Sequence, residues 1–150
     1  LVQIGVGLPY YPYYFTYKNP FVKTASTLGY GEGLAQAAEY LAAKPNSKDI
    51  QAYVYSGMGT FSFFFPGETV VLKRVFLVDD DMLTITTEMR SADYLVLYPI
   101  AQSRLAESHN LLEAFEGVVP EKMIVINEME YITIYRVADI PDAVYKKLDK

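Results

Sequence analysis

The chain has 150 residues, a formal net charge of −5 and a pI near 4.8, and 51% of it is hydrophobic. That is one domain's length, apolar enough for a real core and too apolar for a disordered chain. The acidic balance leaves no basic stripe for nucleic acid and no polybasic patch for an anionic membrane, and the lack of cysteine removes disulfides, thiol nucleophiles and zinc–thiolate sites.

Leu1 to Leu8 is a short apolar lead-in. It fits either the last turns of a preceding membrane helix or a first β-strand, and the two readings stand level. Five tyrosines lie next, between Tyr10 and Tyr17, interrupted by Pro12 and closed by Asn19-Pro20. Prolines at 9, 12 and 20 exclude a continuous helix here. Tyrosine has an apolar ring and a polar tip, so the block can pack under a sheet, form a membrane-interface belt or stack on carbohydrate. Packing is the first reading from physics alone, and the belt is the second. No stretch approaches the roughly 20 apolar residues that span a bilayer.

Lys23 to Thr27 is a polar connector, and Gly29-Tyr30-Gly31-Glu32-Gly33 opens the clearest helix, Glu32 to Ala43. Leu34, Ala37, Ala38, Leu41 and Ala42 make its apolar stripe. Glu32 falls in its first turn and Lys44 just beyond its last, and both suit the helix dipole. The glycines invite a phosphate-loop reading, but no strand directly precedes them and the third glycine of a dinucleotide fingerprint is missing. Glu32 would also put negative charge where phosphate should sit. A tight turn into the helix is the expectation.

Ile50 to Ser56 reads as a strand, Ser56 to Thr60 as a flexible loop, and Phe61 to Phe65 as an aromatic run stopped by Pro66-Gly67. The run is expected in the core, and any exposed part of it would be a docking or lipid-facing patch. Thr69 to Val78 is a second strand. Asp79-Asp80-Asp81 precedes a short helix to Arg90 and lacks the spaced oxygens and glycine of a calcium loop, so it reads as a solvated helix start. Tyr94 to Tyr98 suits a strand buried on both faces. A helix lies within Ser103 to Phe115, with Leu111, Leu112 and Phe115 inward. His109, the one histidine, would have to serve any Ser-His-Asp triad, but no Gly-x-Ser-x-Gly elbow accompanies it. It reads as a surface residue. Met123 to Ile126 and Tyr131 to Val137 form a hairpin, and Asp139 to Leu148 a last helix with proline in its first turn. The alternation argues for an α/β fold: a small mixed, mostly parallel sheet covered by helices, with a C-terminal β-hairpin.

The residues also carry a family resemblance. Tyr13 to Pro20, then Gly29 to Leu34 and Ala37-Ala38-Glu39-Tyr40-Leu41, resemble the segment just after the last transmembrane helix in bacterial membrane glycosyltransferases of family 39. These are relatives of protein O-mannosyltransferases and of lipid A aminoarabinose transferases. Ala92-Asp93-Tyr94-Leu95-Val96-Leu97-Tyr98, Arg104, Pro120-Glu121, Val125-Ile126-Asn127, Glu130-Tyr131 and Ile134-Tyr135-Arg136 resemble the same C-terminal domain. The glutamines expected before Arg104 are out of register, with Gln102 alone close. The hairpin turn carries Glu128-Met129 where glycine is common.

The resemblance implies an enzyme that moves a sugar from a polyprenyl-phosphate donor to an acceptor on the extracytoplasmic side of the cell membrane. Its catalytic aspartate, often with a metal nearby, belongs to an early loop between membrane helices and has no counterpart here. Residues 1–22 are then a membrane-proximal lead-in and tyrosine-rich junction, and residues 23–150 a single soluble α/β domain without catalytic residues, metal or cofactor. Its partners would be the transmembrane part of the same polypeptide and a lipid-linked sugar or acceptor. Tyr14, Tyr17, Asn19 and Glu32 are the candidate substrate contacts. A free-standing α/β module binding a sugar or nucleotide at the carboxyl ends of the strands is the alternative.

Overall fold

The apolar stripe of the helix that follows Gly33 defines one face of the described structure. α1 (Leu34–Ala42) buries Leu34, Ala37, Ala38 and Leu41 completely, and Ala42, at the stripe's edge, partly. The structure is a computed structural model that describes residues 31–55, 58–71, 82–98, 109–126 and 129–148. After α1 come β1 (Gln51–Tyr55), α2 (Met58–Phe64), β2 (Glu68–Val71), α3 (Met82–Ser91), β3 (Tyr94–Leu97) and α4 (His109–Ala114). The chain continues through β4 (Lys122–Ile126), β5 (Met129–Arg136), a 3-10 turn over Val137–Asp139, and α5 (Asp142–Leu148).

The five strands form one sheet in the order β2-β1-β3-β5-β4. β1 pairs parallel with β2 and β3, and β5 pairs antiparallel with β3 and β4. Four strands therefore point one way and only β5 opposes them. This is the mixed, mostly parallel sheet with a closing hairpin that the sequence implies.

Period-two alternation sends side chains to two cores. Ala52, Val54, Val96, Ile132 and Ile134 face α1 and α2. Tyr53, Leu95, Leu97 and Tyr135 face α3, α4 and α5. Every residue of β3 is buried, as a central strand covered on both sides requires. The step from β1 out to β2 and the step back across β1 to β3 run in opposite directions. Crossovers of one hand then place α2 and α3 on opposite faces.

One irregularity positions the start of α1. The β4–β5 register passes from Ile124 opposite Ile132 to Val125 opposite Glu130, so Tyr131 is the extra residue of a β-bulge. Tyr131 therefore joins Ile132 on the α1 face instead of alternating away.

Some expectations need correction. Met58, Gly59 and Thr60 are not loop but the first turn of α2. Phe61 and Phe65, one turn apart, both drop into the core with ring centroids 5.2 Å apart, and that packing outweighs the helix-weakening Gly59. The last helix begins at Asp142, after the 3-10 turn, with Pro141 immediately before it. Glu32 lies outside the first turn of α1, ahead of the cap residue Gly33. Leu111 and Phe115 are buried as expected, whereas Leu112 is half-buried.

Candidate functional site

The doubly wound order β2-β1-β3 reverses direction at β1, and sheets of this kind take ligands beyond the carboxyl ends of the strands at such a reversal. Glu32 stands at that edge. Of the four candidate substrate contacts it is the one within the described residues; Tyr14, Tyr17 and Asn19 lie outside them, as do Asp79–Asp81 and residues 72–78 of the expected second strand. His109 opens α4, and its side chain is likewise outside the described set.

Gly31 and Gly33 both have left-handed backbone, with φ of 101° and 87°. Gly33 is the N-cap of α1, and its carbonyl accepts the Ala37 N–H at 2.9 Å. A Cβ on Gly33 would meet Ile132 Cγ1 at 3.1 Å and Tyr131 Cβ at 3.3 Å. Glycine is needed here both for its φ and for the close approach of the helix start to the bulge.

Tyr98, just past β3, ties this turn to the sheet. Its hydroxyl donates to Glu32 Oε2 at 2.6 Å and accepts the Gly31 N–H at 3.2 Å. Burial, and then the Glu32 carboxylate that needs its proton, push the Tyr98 hydroxyl well above the usual tyrosine range. The phenol stays neutral at physiological pH and acts as a donor. Such a pair can hold a turn in place.

At the opposite edge α1 ends beside the starts of β3 and β4. Tyr40 donates to Glu121 Oε1 at 2.7 Å, and the Lys44 ammonium reaches the same oxygen at 2.7 Å. Lys44 also lies 5.1 Å from the ring centroids of both Tyr40 and Tyr94. Burial alone would raise the Glu121 carboxyl, but Lys44 and Tyr40 outweigh it and hold that carboxyl below its ordinary value. The hydrogen bond to Glu121 and then burial raise the Tyr40 hydroxyl.

Asp93 staples three strands at the same edge. Its carboxylate accepts the Gln51 N–H at 2.8 Å, its N–H donates to Gln51 O at 2.9 Å, and its carbonyl accepts the Val137 N–H at 2.9 Å. The adjacent cleft, about 360 Å³, is lined by Asn46, Arg90, Asp93 and Arg136 over Ile50 and Ala92. Sequence reasoning missed this cleft, because its walls come from three separate stretches and no local pattern joins them.

The aromatic run divides. Phe61 and Phe65 are buried, while Phe63 is 81% exposed and Phe64 44% exposed, their rings T-shaped at 5.0 Å. No group of three His, Cys, Asp or Glu side chains among the described residues is placed to hold a metal. No helix among them is long and apolar enough to cross a membrane. No known family, curated protein or solved structure matches the chain.

Proposed function

We propose that this chain is the non-catalytic, extracytoplasmic C-terminal domain of a membrane glycosyltransferase that uses a polyprenyl-phosphate sugar donor. One observation carries the reading. Residues that bear the family resemblance at opposite ends of the sequence pair with each other in space: Glu32 with Tyr98, and Tyr40 with Glu121. They act as braces between the two ends of α1 and the sheet, as a seating domain needs.

Gly31 stands at the carboxyl edge, held by Tyr98, and a Cβ there would touch Thr60 of α2 at 3.5 Å. Phe63 and Phe64, exposed on α2, give an apolar surface for the transmembrane part of the same polypeptide in this reading. In this reading Tyr14, Tyr17 and Asn19 collar the junction beside the lipid-linked sugar or acceptor, and Glu32 anchors its end. Sequencing the gene upstream of the Leu1 codon tests the proposal. Several membrane-spanning segments in frame are expected, and an initiation codon directly before Leu1 would end it.

A further inference from the structure

The cleft at the amino-terminal edge carries an assignment of its own. Arg90 closes α3, and its guanidinium lies 3.7 Å from the ring centroid of Tyr145, which is buried. Stacking on a fixed ring holds the plane of the guanidinium and leaves its edge donors pointing sideways. Its ion pair is a single 3.4 Å contact to Asp142, whose side chain is 78% exposed. Solvent competes strongly with such a pair.

Arg136 ends β5 and is exposed. Among the described residues its side chain has no hydrogen bond or ion pair, and it acts on Glu121 through its field. Its five N–H donors are therefore not committed to an internal partner, and the residue lines both this cleft and a smaller one bordered by Glu121 and Asp139. Asp93 is the acidic residue of the lining, and its Oδ2 accepts the Gln51 N–H. The lining then holds two guanidinium groups, one engaged carboxylate and the Asn46 amide, above an apolar floor of Ile50 and Ala92. Its volume of about 360 Å³ is at the small end of ligand sites.

We propose that this cleft binds a small oxyanion, a phosphate or carboxylate group gripped between Arg90 and Arg136. Planar forks at two walls suit the paired oxygens of such groups. The chain's net charge of −5 opposes anions at long range, so affinity is modest and falls with salt. A dissociation constant on the order of 1 mM at low salt fits two exposed guanidinium contacts. The site stands apart from the membrane reading and does not need it.

The test is titration of the isotope-labelled chain with inorganic pyrophosphate, citrate and glucose, monitored by amide NMR shifts. Pyrophosphate alone assigns a phosphate ligand, citrate alone a carboxylate, and either result requires shifts clustered at residues 46, 90–94 and 136–138. Arg136→Ala, which removes no internal bond, is expected to weaken binding at least about tenfold. Arg136→Lys should recover only part of it, because an ammonium lacks the fork. No clustered shift with either anion, equal shifts with glucose, or unchanged affinity in Arg136→Ala would overturn the assignment.

Discussion

Replacing Tyr98 by phenylalanine removes one oxygen and leaves the packed ring in place. That oxygen makes two bonds, a donation to the Glu32 carboxylate and an acceptance from the Gly31 N–H. A hydrogen bond to a charged group contributes about 1.5–3 kcal/mol and a neutral one about 0.5–1.5 kcal/mol. Glu32 and Gly31 are only half-buried, so water takes up part of both losses. The expected cost is about 1–2 kcal/mol, near the middle of these ranges after that discount. In urea this lowers the midpoint by about 0.5–1 M with the slope unchanged. The variant also changes the alkaline limb. The folded Tyr98 hydroxyl titrates above the unfolded one, so its contribution is complete below about pH 10 and is lost as pH rises toward the folded value. Wild type should therefore lose more stability than Tyr98→Phe between about pH 9 and about pH 11. Burial also raises the Tyr135 and Tyr145 hydroxyls, so the variant keeps part of this dependence. A loss below about 0.3 kcal/mol together with identical alkaline limbs would refute the bracing role, since water would then serve as well as Tyr98.

Gly33→Ala should cost about 2–4 kcal/mol in urea unfolding, from left-handed strain plus contact with Ile132 and Tyr131; a neutral result would show that the bulge yields freely. Glu121→Gln should cost about 0.5–1 kcal/mol at neutral pH, since the ion pair is partly solvated. The folded Glu121 carboxyl is depressed, so its contribution is present above the unfolded value and lost as pH falls through the folded one; the variant's urea midpoint should fall less steeply in acid. Phe63→Ser should change thermal stability by less than about 0.5 kcal/mol, whereas Phe61→Ala should cost about 3–5 kcal/mol. Equal costs would mean that Phe63 is packed.

The fold was legible where period and burial agree. The α1 stripe and the run Leu95-Val96-Leu97 declare themselves because burial on one face or on both leaves a pattern within a few residues. Met58 to Thr60 did not, because Gly59 argues for a loop and the deciding contact, Phe61 with Phe65 in a shared core, is tertiary. Pro141 marked the last helix but not its first residue, since the chain makes a 3-10 turn before committing to α5. Glu32 was singled out from its place among glycines, yet its partner is 66 residues away and nothing local points to Tyr98. The Arg90–Arg136 cleft was illegible for the same reason: its walls meet only once β1, β3 and β5 are in register.

The proposed seating of this domain on a membrane enzyme can be checked on the native protein. An antibody raised against this chain is used to probe cell fractions from the source organism. A band far larger than 17.0 kDa is expected in membranes that resist carbonate extraction, cut by protease added from the extracytoplasmic side. A 17.0 kDa band in the soluble fraction would contradict it.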